Sequence, residues 1–191
     1  MSMLIKANGN GQRTMPPEGN WVGVVDAVYD LGLQRPFQEG DQPRNRYALL
    51  IHIGKNIESG PLAGQSHKAS MILTGSTYRK SKMGKVMMAL MPRLTEEVLE
   101  SGKVDLEDLL GRNGLFNIRH VQRNGNLTYE IDNVSPLPAG MPNLVRIPET
   151  KPPDWVLRFQ EQRLDKPVPV SAQPVPAEDD EEPADLGPLF E

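Results

Sequence analysis

The 191-residue chain has no cysteine, which excludes disulfides, thiol catalysis and thiolate metal sites. Histidine is scarce. His52, His67 and His120 stand far apart and share no ligand spacing, so each reads as a strand or surface residue. No apolar run approaches the roughly 20 residues of a membrane span and no signal peptide opens the chain, so a soluble, cytoplasmic protein is expected. Catalytic motifs are missing too: there is no Gly-x-Gly-x-x-Gly, no phosphate loop ending in Gly-Lys-Ser/Thr and no Gly-x-Ser-x-Gly elbow. The pair Glu96-Glu97 falls on an expected exposed helix, where solvation explains it. Asp26, Asp30 and Asp132 are the carboxylates a metal-dependent nuclease would use, but their spacing points to no common site. Neither catalysis nor a cofactor is expected.

Hydrophobic residues make up only 38% of the chain and prolines number 18, which together point to a disordered portion. Charge locates it. Residues 165–191 hold eight acids against one lysine, whereas residues 1–164 hold 17 acids and 20 bases. A mildly basic body with an acidic tail suggests a polyanionic partner and a tail that competes with it. The tail, "DKPVPVSAQPVPAEDDEEPADLGPLFE", has the prolines and charge of a disordered segment but ends on an apolar tip containing Leu189 and Phe190.

The pattern divides the chain into four segments. Residues 1–19 form an irregular lead-in, and residues 20–141 carry the folded domain. "NWVGVVDAVYDLGLQ" reads as one long, bent strand, followed by a charged loop and the strands "YALLIHI" and "HKASMILT". The period then changes. Met83, Met87, Leu90 and Met91 suit one face of a helix that Ser76 or Thr77 would cap and Pro92 would end. Short helical pieces are expected at "TEEVLESG" and "DLEDLLG". Two strands, "GLFNIRHV" and "LTYEIDNV", meet at Asn124-Gly125, a strong hairpin signal. Residues 142–164 continue as an extended proline-rich stretch and a short helix whose Trp155 and Phe159 are expected to dock on the domain, with a partner or dimer contact as the other reading. Five strands with a helix between the third and fourth is the order of the OB-fold, a partly open barrel, here an all-β class with short helices.

One stretch carries an unusual charge pattern. Between Glu58 and Glu96 there is no acid, yet Lys68, Arg79, Lys80, Lys82, Lys85 and Arg93 all fall there, with His67 and Tyr78 among them. Lysine and arginine neutralise phosphates and release counterions, while aromatic faces stack on bases. Tyr78-Arg79-Lys80 offers both at the helix entrance. Tyr47 beside Arg44 and Arg46, Phe37 in the first loop and Arg119 on the fourth strand complete the candidates.

These residues lie within a wider likeness. Over about residues 20–141 the chain resembles the single-stranded DNA-binding proteins of tailed bacteriophages, through "GVVDAVYDLGLQ", "TGSTYRKSKMGKVMMAL", "DLEDLLGRNGLFNIRH" and "YEIDNVSPLPAGM". It differs in having Asn113-Gly114 where the family has a Pro-Cys-like pair, and in a longer first loop. The resemblance implies an OB-fold that coats single-stranded DNA during replication and recombination. It further implies an acidic tail that occupies the basic groove when DNA is absent, and a tip (Leu189 and Phe190) that docks on replication or recombination proteins. Here Phe190 is followed by Glu191. A recombination mediator or annealing protein on the same fold, and an adaptor barrel that binds another protein, are the alternatives; a homodimer is left open.

Overall fold

The computed structural model describes residues 4–5, 13–36 and 40–165; the acidic tail, its tip and Phe37 lie outside them. Near the start, Leu4–Ile5 pairs antiparallel with Arg13–Thr14. The body is one five-stranded antiparallel sheet of β1 (Gly19–Gln34), β2 (Arg44–Asn56), β3 (Ser66–Thr74), β4 (Asn113–Arg123) and β5 (Asn126–Pro136), in the order β3-β2-β1-β4-β5. β1 is central: it pairs with β2 along its C-terminal part and with β4 along its N-terminal part. The sixteen-residue strand serves both because it bends at register shifts between Val25 and Ala27 and between Asp30 and Gly32. At the second shift Gly32 takes φ +70°, and its N–H donates to the Asp30 carboxylate at 2.7 Å.

The sheet curls until its edge strands meet. Tyr129 on β5 accepts the backbone N–H of Ser70 on β3 at 2.9 Å, a side-chain bridge where a closed barrel would have a strand ladder. Inside the curl, Leu49, Ile51, Ile53, Met71, Leu73, Phe116, Ile118 and Ile131 pack with Met83, Val86, Met87 and Leu90 of α1 (Lys82–Leu90). The methionine spacing seen in the sequence is therefore the buried face of this helix. α2 (Glu96–Glu100) and a 3₁₀ turn (Leu106–Leu109) come next, capped by Thr95 and Asp105, before the chain re-enters the sheet. Asn124 (φ 50°) and Gly125 (φ 78°) make the hairpin turn.

The helix cap differs from the sequence expectation. Ser81, not Ser76 or Thr77, accepts the Gly84 N–H at 2.9 Å and starts α1. Residues 76–80 form a turn of their own, in which Ser81 N–H donates to Tyr78 O and Tyr78 N–H to Ser76 Oγ. Local bonding to Ser76 competes with helix extension and wins.

The segment beyond β5 covers the outer face of the sheet. Leu144 and Asn113 exchange two hydrogen bonds, at 2.7 and 3.1 Å, and Ile147 N–H donates to the Asp26 carboxylate at 2.9 Å. α3 (Asp154–Glu161) then lies over Leu31, Ala48 and Ile72. Trp155 and Phe159 dock as expected, edge to face with centroids 6.2 Å apart, but the fully buried anchor is Val156. Among the described residues no helix is long and apolar enough to cross a membrane.

Candidate nucleic-acid interface

The turn before α1 is held by a close backbone approach. A Cβ at Gly84 would stand 2.3 Å from the Tyr78 carbonyl oxygen and 2.9 Å from the Arg79 Cα, so only glycine lets the turn lie on the helix. This presents Tyr78 outward, 54% exposed on a rigid base. Lys80 on the same turn and Lys82 and Lys85 at the start of α1 are exposed, and no carboxylate among the described residues pairs with them. The first turn of α1 contains no acid. Cations at a helix N-terminus oppose the macrodipole, and the free N–H groups there favour an anion. The charge arrangement thus costs stability unless an anion arrives.

Gly84→Ala tests the close approach. Alanine in a helix interior is favoured over glycine by about 1 kcal/mol, but the added carbon would overlap backbone, which cannot rotate away. Overlaps of this kind cost about 1–3 kcal/mol. A net loss of stability in urea denaturation is the expected result; a gain would mean that the turn is loose.

The remaining candidates fall in different environments. Arg79 is exposed but reaches Glu96 on α2 at 2.5 Å. Lys68, on the outer face of β3, pairs with Glu149 of the covering segment. Arg119 pairs with Glu130 at 2.7 Å and lies 3.5 Å from Asp132, and the Glu130 hydrogen bond leads in raising its pKa. Arg46 is 5% exposed and donates to the Arg35 carbonyl at 3.0 Å, which ties the start of β2 to the first loop. Tyr47 is half-buried against the core, beside Gly75, and burial, then Asp30, pushes its hydroxyl pKa up.

Several of these sit at one end of the sheet. Gly75 N–H donates to Asn45 O at 2.7 Å, joining the start of the Tyr78 turn to the start of β2, next to Arg44. Gln34, the end of β1, pairs with Arg44 in register. The chain after α3 returns to the same place: Leu164 N–H donates to Leu33 O, and Leu33 N–H to the Asp165 carboxylate. Arg163 chelates Asp165 and holds its carboxyl down at about 2. That contribution to the anchor is complete above the ordinary aspartate value of 3.8 and is lost as pH falls through about 2.

A cavity of about 400 Å³ opens elsewhere, on the outer face, walled mainly by Met15, Leu50, Ile57, Leu62 and Trp155 with the neutralised Lys68–Glu149 pair among its lining. Its apolar walls and lack of free cation suit it less to a phosphate backbone than the Tyr78 turn. No protein-family model matches the chain, and no curated protein matches it.

The three aspartates considered for a nuclease are dispersed. Asp26 is buried and bonded to His52 at 2.8 Å, Asp30 caps the Gly32 bulge, and Asp132 lies beside Arg119. His120 Nε2 lies 2.9 Å from the Pro16 carbonyl, and His67 is buried.

Proposed function

We propose that the chain is an OB-fold protein that binds single-stranded DNA without sequence preference and carries out no catalysis. The strand pairing supports the fold: β1 joins both β2 and β4, β3 and β5 approach, and α1 stands between β3 and β4 in the chain. The observation that carries the function is the exposed Tyr78 on a rigid turn, with Lys80 beside it and Lys82 and Lys85 at the start of α1, none of the three paired with a carboxylate among the described residues. The ring offers a base a stacking surface, and the lysines take phosphates; neither contact reads sequence. The likeness to phage proteins supports a role in DNA replication and recombination.

Filter binding of oligo-dT against duplex, across a salt series, tests this reading. Single strands should bind well above duplex. With the three lysines and Arg79 on up to four phosphates, log affinity should fall against log salt with a slope of about −2 to −3, from roughly −0.7 per phosphate. A slope near zero would remove phosphate contact from the account.

The tail enters the same scheme. The Arg163–Asp165 anchor launches it beside Arg44, at the end of the sheet that bears the Tyr78 turn. Seven of its acids lie beyond that anchor, and tethering keeps them at high effective concentration near the lysines. Deleting residues 166–191, with Asp165 retained, should tighten DNA binding several-fold at low salt and leave the melting temperature unchanged. The gain should fade as salt rises. The same deletion, or Leu189→Ala with Phe190→Ala, should abolish capture of replication or recombination proteins. Weaker DNA binding after truncation would assign the tail a different role.

A further inference from the structure

The acid-free run of sequence is not acid-free in space. Glu96, the acid that ends the run, folds back 17 residues onto Arg79, with Arg79 Nη1 2.5 Å from Glu96 Oε2. Both partners are accessible, at 50% and 44%. Resting on the reading of the Tyr78 turn as the DNA interface, we propose that Glu96 is a phosphate stand-in built into the chain, holding Arg79 until a nucleic-acid backbone takes its place.

Three features set this pair apart from the other covered cations. Arg119 lies directly opposite Glu130 in the β4–β5 register, an ordinary cross-strand pair. Lys68–Glu149 joins the covering segment to the sheet on the outer face. Arg79, by contrast, stands between Tyr78 and Lys80 on the turn read as the interface, and its partner is presented by α2. Thr95 caps α2 and fixes Glu96 in the first helical turn, where an acid is favoured by the helix dipole. The base of Arg79 is equally fixed by the Gly84 contact, so only two flexible side chains need move. The bond shown engages a single guanidinium nitrogen, which leaves the fork that a phosphate oxygen pair can grip in bidentate fashion.

The pair is also weak enough to exchange. An exposed ion pair shifts an equilibrium by about fivefold at most, so a phosphate held nearby by the three lysines can displace the carboxylate. Each displacement frees Glu96 to gather a counterion, which offsets part of the ion release from the DNA. Arg79 therefore adds less to affinity and to salt dependence than an unpaired cation would.

The test is fluorescence anisotropy with labelled oligo-dT on the full chain and five variants, at low and high salt, with melting temperatures alongside. Glu96→Gln should bind about three- to fivefold tighter at low salt, with the salt slope steeper by up to about 0.7. Glu96→Asp keeps the net charge and the acid at the helix start but shortens the reach; it should bind more tightly than the parent as well. Glu97→Gln removes an unpartnered carboxylate from the same turn and should change affinity little. In an Arg79→Ala background, Glu96→Gln should gain nothing. If the parent binds oligo-dT and Glu96→Gln binds no tighter, or Glu97→Gln gains equally, the stand-in role is overturned while the interface stands. If the parent does not bind oligo-dT, the interface reading falls and this proposal falls with it. A Glu96→Gln variant that melts early leaves the decision to Glu96→Asp.

Discussion

Replacing Lys80, Lys82 and Lys85 together by glutamine is expected to weaken oligo-dT binding on the order of 100-fold at about 50 mM salt, with the salt slope flattening by roughly 2. The size comes from ion release. Three lost phosphate contacts remove roughly 2 from the slope, and at that salt each unit of slope is worth about one decade of affinity. The deficit should shrink to about sixfold near 200 mM, since a slope difference of about 2 over a fourfold rise in salt is worth about 1.2 decades. Stability should move in the opposite sense. The lysines lie at the positive end of α1 and no acid among the described residues offsets them, so removing them relieves a penalty of a few tenths of a kcal/mol each. A variant that binds worse and melts no earlier identifies a functional charge cluster. One that binds as the parent does would reduce the helix face to ordinary solvation. Tyr78→Ala addresses the other half of the contact and should cost about 1–3 kcal/mol of binding if the ring stacks on a base.

The largest effect on the fold itself is expected at Asp26. Its side chain is buried on the outer face of β1, where both carboxylate oxygens lie 2.8 Å from His52 Nδ1. One of those oxygens also accepts the Ile147 N–H at 2.9 Å. A carboxylate is acceptor-only, which assigns the proton to Nδ1. Asp26→Ala strands the buried His52 donor and removes the acceptor of the part-buried Ile147 N–H, and breaking a buried pair in this way costs about 3–5 kcal/mol. Urea denaturation should show that drop, and limited proteolysis should show faster cleavage in residues 141–149, which this bond holds down. Asp26→Asn keeps an acceptor for Ile147 and should cost less. DNA binding by folded Asp26→Ala should be near normal, because the sheet separates Asp26 from α1. A loss below about 1 kcal/mol would contradict the burial of this pair.

Much of the architecture was legible because it is local. The Val-rich run of β1, the Leu and Ile of β2, the four-three-one spacing of Met83, Met87, Leu90 and Met91, and the Asn124-Gly125 turn each report on neighbours within a few residues. The same locality located Tyr78, Lys80, Lys82 and Lys85, whose exposure comes from their place on a turn and the polar side of one helix. Ser81 was missed as the cap, although it too is local. Three hydroxyls within six residues look alike in sequence, and Gly84 contacting Tyr78 O decides among them.

What the sequence determined by itself is therefore the five strands of the main sheet, the buried helix face and a cluster of cations with an aromatic residue; the short Leu4–Ile5 and Arg13–Thr14 pairing falls in what reads as an irregular lead-in. Only the tertiary structure decided which of those cations are free. Glu96 reaches Arg79 across 17 residues and Glu149 reaches Lys68 across 81, while Arg46 turns inward to the first loop. The burial of Asp26 against His52 and the return of Arg163 and Asp165 to the end of β1 are of the same kind. The physical reason is that a side chain's charge is a property of its own residue, whereas its electrostatic partner is set by whatever the fold brings within about 4 Å.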